Sequence, residues 1–167
     1  MNKVAIVTGA SRGIGAETAK LLSNNGYSVC INYIQNRDAA DSVKNAILKN
    51  GGTCITVKAD VSIEGDAVRL FNTVEKELGY VSVLVNNAGV LRTQCRLVEI
   101  TESRFKEVML TNVMSCFLCS KEAVKRYATD QAHRNEFVAP NQYPIFHFQP
   151  LALDHALFAF LTHTSVP

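Results

Sequence analysis

Proline and histidine are both absent from the first 128 residues of this chain; all four prolines and all four histidines lie at or beyond His133. The sequence therefore falls into two parts of different composition. Also absent is any run approaching the ~20 apolar residues that a membrane-spanning helix needs. Met1-Asn2-Lys3 leads straight into Val4-Ala5-Ile6-Val7, a run too short for a signal-peptide core and closed by Thr8-Gly9 rather than by a cleavage site. An excess of one charge is lacking too. The formal net charge is +2 and acids and bases are interleaved, so no footprint for nucleic acid or an anionic membrane is expected and a small-molecule partner is.

A disulfide framework is excluded on count and spacing. The five cysteines (Cys30, Cys54, Cys95, Cys116, Cys119) are an odd number and sit singly in apolar stretches, which fits a reducing, cytoplasmic setting. Cys116 and Cys119 form a C-x-x-C, but in a helical context with no preceding strand and turn and no second pair for zinc, so they read as buried core thiols. His147, His155 and His163 recur every eight residues, two helical turns apart and interrupted by Pro150, which is too far for one ion. No metal site is expected.

What is present is a repeated strand and helix. Lys3 to Thr8 is a β-rich run, followed by a glycine loop and a helix-period stretch over Ala16 to Asn25 with Ala19, Leu21 and Leu22 on its apolar side. Tyr27 to Tyr33 is the second strand and Asp38 to Asn50 the second helix (Ala39, Val43, Ile47 inward). Thr53 to Lys58 is the third strand and Ile63 to Leu78 the third helix (Val68, Phe71, Val74, Leu78 inward). Val81 to Val85 is the fourth strand; Thr101 to Ala128 is helical, with Thr101 as N-cap and a break near Asn112. Continuously apolar strands alternating with helices imply a parallel sheet covered on both faces. The predicted fold is a doubly wound, Rossmann-like α/β sheet of spatial order 3-2-1-4 over residues 1–128, cut short after the fourth strand and its helices. Residues 129–167, with their dense prolines and no β-α alternation, read as an atypical tail.

The segment Thr8-Gly9-Ala10-Ser11-Arg12-Gly13-Ile14-Gly15 stands between a strand and a helix, where backbone N–H groups and the helix dipole receive a pyrophosphate. Gly9 permits the sharp exit from the strand, Gly13 the approach of phosphates, and Gly15 close packing of helix on sheet. With Ser11, Arg12 and Ile14 they are the cofactor-binding candidates of this turn; an ordinary glycine-rich β-α turn is the competing reading.

Together with Asp60-Val61 after the third strand, Asn86-Asn87-Ala88-Gly89 after the fourth and Asn112 in Thr111-Asn112-Val113, the chain up to about Ala128 resembles the short-chain dehydrogenase/reductases. Within that family it is most similar to bacterial sugar-dehydrogenase-like oxidoreductases and 3-oxoacyl-carrier-protein reductases. The resemblance implies that Asp60 accepts a hydrogen bond from the adenine amino group and Val61 packs on the ring. Asn87, Ala88 and Gly89 would line the adenosine ribose and support the central strand. Asn112 would kink its helix, its backbone carbonyl holding a water on a proton relay. A surface turn acid and a polar helix break are the plainer readings of Asp60 and Asn112. It also implies a cytoplasmic tetramer in which the Thr101 to Ala128 helices pack against a neighbour. The second strand ends Asn32-Tyr33, without the acid that selects NAD, and Arg12 can meet a 2′-phosphate, so the expected cofactor is NADP(H). Arg37 is a weaker second base, and Arg12 as a merely solvated residue is the alternative.

The family's catalytic serine and Tyr-x-x-x-Lys are not in the sequence. Tyr27, Tyr33, Tyr80, Tyr127 and Tyr143 are followed four residues on by Ile31, Arg37, Leu84, Gln131 and His147. Three accounts compete: a truncated or frameshifted product whose tail from about Asn135 is foreign; a non-catalytic NADP-binding or interaction protein; and an enzyme rewired around Tyr127, Tyr143 or His147.

Overall fold

The computed structural model describes residues 3–134. Four parallel strands, β1 (Lys3–Val7), β2 (Tyr27–Tyr33), β3 (Cys54–Lys58) and β4 (Val81–Val85), lie in the order β3-β2-β1-β4. Helices α1 (Gly13–Asn24), α2 (Arg37–Lys49) and α3 (Glu64–Glu77) alternate with them. This is the doubly wound sheet that the alternating pattern predicts, in the expected order. Two apolar clusters fill its faces. Val4, Ile6 and Cys30 meet Leu70, Phe71 and Val74 of α3 on one side, and Val7, Val29 and Ile31 meet Ala19, Ala40, Val43 and Ile47 of α1 and α2 on the other.

The β1–β4 pairing contains a register shift between Val4 and Ala5. Ser82 repairs it: its hydroxyl accepts from the Val4 N–H and donates to the Val4 carbonyl, both at 3.1 Å, so the ladder keeps its partners across the irregularity.

Several expectations are corrected. Helix α1 begins at Gly13, not Ala16, which moves Gly13 and Gly15 from the loop into its first turn. Leu21 faces solvent because the buried positions of α1 are Gly15, Ala16 and Ala19, and the helix is too short in apolar residues to carry a wider stripe. In α2 the first buried position is Ala40, with Ala39 only partly covered; in α3 Ala67 and Leu70 take the buried row that Val68 was expected to share. Coverage of both faces holds for β1 and β2, whereas β4 buries only Leu84 and pairs with β1 alone among the described residues.

After β4 the chain runs through an irregular segment and a short 3-10 turn (Leu97–Glu99) into α4 (Glu102–Met109). Thr101 caps α4, its hydroxyl accepting from the Arg104 N–H at 3.3 Å. The break near Asn112 is a π-helical turn, Leu110–Met114, after which α5 (Ser115–Arg134) continues past Ala128. Arg126 clamps α5 to α3. It pairs with the buried Glu122, donates to Glu75 at 3.2 Å and Asn72 at 2.6 Å, and lies over the Phe71 ring, 5.1 Å from its centroid. Phe105, Met109, Val113 and Phe117, four residues apart through α4, the π-helical turn and α5, are exposed. No helix among the described residues is long and apolar enough to cross a membrane, and none of their side chains form a metal-ligating group of three.

All five thiols are free. Four are buried; Cys95 is exposed, contrary to its expected apolar setting, because the segment after β4 runs over the surface, where the Arg104 guanidinium meets its sulfur at 2.7 Å. Burial pushes the Cys54, Cys116 and Cys119 thiols up to about 12, and Cys30 further. At pH 8 such thiols are thiolate in only about one part in 10⁴. Brief treatment of the folded chain with iodoacetamide at pH 8 should therefore add one adduct, on Cys95, and five after denaturation. Rapid modification of Cys116 or Cys119 in the folded chain would show that α5 does not pack as described.

Candidate cofactor site

The end of β1 and the end of β4 are joined through two side chains. The Thr8 hydroxyl, 1% exposed, accepts from the Asn87 N–H at 3.0 Å and the Ala88 N–H at 2.9 Å, and donates to the Val85 carbonyl at 3.3 Å. In return the Asn87 amide donates to the Thr8 carbonyl at 2.8 Å and the Gly9 carbonyl at 3.2 Å. The Asn-Asn-Ala-Gly segment thus shapes the glycine loop from beneath. Two glycines answer to this contact. A Cβ on Gly9, where φ is +61°, would lie 2.9 Å from the Ala88 Cα; one on Gly15 would overlap the Asn87 amide nitrogen and come within 3.0 Å of the Ala10 Cα. Gly15 accordingly makes room for Asn87 and the loop rather than for the sheet.

Gly13 differs. With φ +58° it faces open space, with nothing within 4 Å of where its Cβ would be. It opens the first turn of α1, a helix whose N-cap residue, Arg12, makes no side-chain capping bond and whose first turn holds no acid. In contrast α2 is capped by Asn36 and carries Asp38, α3 carries Glu64 and Asp66, and α4 is capped by Thr101 and carries Glu102. Among the described residues, the first-turn N–H groups and positive dipole end of α1 are left without a negative partner. Arg12 and Ile14 are exposed beside them and Ser11 half-exposed; Arg12 enters no ion pair among the described residues. This arrangement fits the phosphates of a nicotinamide dinucleotide.

On the β2 side, Asn32 is buried and fully engaged. Its oxygen accepts from the Gly9 N–H at 3.2 Å, and its amide donates to the carbonyls of Ala59 at 2.9 Å and Val57 at 3.4 Å. It acts on a ligand only through the loop it holds. Arg37 is occupied by Asp41 at 3.3 Å. Val61 is buried in the core, which leaves little of its side chain for a ring.

Asp60 sits in a tight turn: Oδ1 accepts from the N–H of Ser62 at 3.0 Å and its hydroxyl at 2.6 Å, while its own N–H donates to Asp66 at 2.7 Å. The Arg69 hydrogen bond, at 2.8 Å, and then the Asp60 N–H hold the Asp66 carboxyl below the ordinary carboxylate range. Asn112 in the π-turn spends its side chain on one residue, accepting from the Val90 N–H at 2.7 Å and donating to the Val90 carbonyl at 3.1 Å. Gly89 allows this, since a Cβ there would stand 3.3 Å from the Asn112 oxygen. Asn86 reaches the Ser120 hydroxyl at 3.1 Å and so ties β4 to α5. Thr8 and Asn86 stand in the sequence motifs with no role of their own assigned, and Asp66 is not among the candidates; the partners of Thr8 and Asn86 lie 79 and 34 residues away, and no periodicity marks the Asp66 bond to a backbone N–H six residues back.

The family model for short chain dehydrogenases matches residues 3–134. The chain belongs to the short-chain dehydrogenase/reductase family. It is 46% identical over 125 residues to the uncharacterized oxidoreductase YgfF of Escherichia coli, covering 75% of this chain and 51% of that one. Against a 3-oxoacyl-[acyl-carrier-protein] reductase of Synechocystis the identity is 40%, covering 74% and 49%. A mutant form of the Serratia marcescens short-chain dehydrogenase/reductase superposes with a TM-score of 0.71 at 35% identity, covering 74% of this chain and 50% of that structure. The chain spans about half the length of the relatives it matches. The family uses nicotinamide cofactors, and the residues around α1 fit one. Of the relocated acids considered above, Tyr127 is half-buried on α5; Tyr143, His147, the other tail histidines and residues 135–167 as a whole lie outside the described residues.

If Gly15 is small because of Asn87, the two positions must couple. Asn87→Ala should cost about 1–3 kcal/mol through the buried groups it leaves unpaired. Gly15→Ala should cost a similar amount by overlap, and the double variant clearly less than the sum. Additivity in urea denaturation to within about 0.5 kcal/mol would mean the two residues are not in contact.

Proposed function

We propose that this chain is the NADP(H)-binding half of a short-chain oxidoreductase that reduces carbonyls or oxidises alcohols, and that on its own it holds the cofactor without turning over. The observation that carries this reading is the N-terminus of α1, with no side-chain cap, no acid in its first turn, and opened by Gly13 beside an exposed Arg12 that has no ion pair among the described residues. There the N–H groups of the first turn would hold the pyrophosphate, and Arg12 would meet the 2′-phosphate. Gly9 and Gly15 keep the loop low on the sheet, and Asn32, Asn87 and Ala88 hold its shape. Asp60 would receive the adenine amino group on the carboxylate oxygen that Ser62 leaves free, with Val61 supporting the turn from the core, Gly89 on the β4 side, and Ser11 and Ile14 flanking the phosphates.

When bound, the nicotinamide supplies or takes up a hydride. That transfer needs a proton donor beside the substrate oxygen, and a positioned acid is typically worth ~10² to 10⁴ in rate. Asn112, anchored to Val90, would only support a relay; the serine and the Tyr-x-x-x-Lys that complete the site in the family are missing from the sequence. A non-catalytic NADP-binding or interaction protein is the second reading, favoured by the exposed Phe105, Met109, Val113 and Phe117. By family likeness the same face would serve a homotetramer, in a cytoplasm that keeps the five thiols reduced.

At low salt NADP(H) should bind at least ten-fold more tightly than NAD(H), and Arg12→Ala should remove most of that difference, which also shrinks as salt is raised. Equal affinities for the two cofactors in calorimetry would refute the role of Arg12. Turnover is the separate test. NADPH oxidation against aldehydes, ketones, sugars and acyl-thioester ketones should not exceed that of a heat-treated sample. Activity abolished by Tyr127→Phe would instead locate a relocated acid on α5.

A further inference from the structure

The segment leaving β3 is held at three consecutive residues. Arg69 donates to the Lys58 carbonyl at 3.0 Å. Ala59 donates to the Tyr33 carbonyl at 3.0 Å and accepts from Asn32 at 2.9 Å. The Asp60 N–H ends on the Asp66 carboxylate at 2.7 Å. Arg69 and Asp66 are themselves paired at 2.8 Å, one helical turn apart on α3. An exposed pair of this kind ordinarily contributes little. Here each partner also grips the backbone of the same loop, so the pair acts as a two-point clamp on the peptides before Asp60. Ser62 fixes the Asp60 carboxylate through Oδ1. Backbone and side chain of Asp60 are thus held separately, and among the described residues nothing donates to Oδ2, which leaves it for an incoming donor.

We propose that Asp66, seated by Arg69, is the positioning residue that aims Asp60 at an adenine amino group. The inference rests on the proposed cofactor reading. Asp66 itself stands on the helix, where its carboxylate is spent on Arg69 and on the Asp60 N–H. Removing it leaves the Asp60 N–H without its acceptor, so that the peptide between Ala59 and Asp60 keeps its hold on Asn32 through the Ala59 carbonyl but loses its second point and can tilt, which would turn the carboxylate away while leaving the α1 phosphate cradle intact.

The test uses the full chain and two probes, adenosine 2′,5′-bisphosphate and its counterpart lacking the 6-amino group, compared by calorimetry. The unaltered chain should prefer the adenine probe roughly ten-fold, as expected of a hydrogen bond to a charged acceptor. Asp66→Ala should reduce this preference to within two-fold while the desamino probe binds as before, an internal sign that the fold and cradle survive. Asp66→Asn, which keeps one acceptor for the Asp60 N–H, should retain part of the preference; it also serves if the alanine variant does not fold. Discrimination by the unaltered chain that survives undiminished in either variant overturns the role of Asp66 alone. If the unaltered chain binds both probes equally, the assignment of adenine to Asp60 fails, and this inference with it. If it binds neither, the cofactor reading itself falls.

Discussion

The exchange of hydrogen bonds between Thr8 and Asn87 is the constraint on which the rest of the site depends. A buried hydroxyl that accepts two N–H groups and donates to a carbonyl has used its whole capacity, and it can do so only where the ends of β1 and β4 stand side by side. Each bond contributes about 1 kcal/mol net, but leaving a buried member unpaired costs about 1–3 kcal/mol, so the pattern is strongly enforced. The glycines follow from it. Gly9 and Gly15 are small because Ala88 and the Asn87 amide occupy the space their side chains would need. The glycine loop and the Asn-Asn-Ala-Gly segment, far apart in sequence, are one physical object.

Much of the fold was legible because its causes are local. Continuously apolar strands alternating with amphipathic helices are enough to imply the parallel sheet, and Thr101 announces its helix by being a cap. Errors arose where tertiary contact decides. Leu21 is apolar and in phase with a helix, yet α1 buries only Gly15, Ala16 and Ala19 against the sheet. Cys95 resembles its four buried counterparts in composition but falls on the surface segment after β4.

The candidate site was legible as a set of residues and less so as a set of reasons. Gly9, Gly13 and Gly15 read alike in a motif, but only Gly13 opens onto free space, while the other two serve contacts with the β4 side. Asn32 attracts notice as the residue standing where an acid would otherwise select NAD; its burial turns it into a brace between β2, β3 and the loop. Asp66 looks like an ordinary acid in a helical first turn, and nothing in its spacing discloses that it holds a backbone N–H six residues back. Hydrogen bonds between side chains and distant backbone leave no periodic trace.

The register of β4 on β1 has a consequence for the order in which the molecule takes shape on the ribosome. Strands β1, β2 and β3 meet in sequence as they emerge, each pairing with its immediate predecessor in the chain. The glycine loop is made within the first fifteen residues, yet its carbonyls wait for the Asn87 amide 79 residues later, after three helices have been synthesised. Until β4 docks against β1, the first β-α turn has its sequence but not its shape. A nascent chain halted before Asn87 would carry every glycine of the motif with the loop unbraced, and vectorial folding completes this first turn only after β2, β3 and their helices have been made.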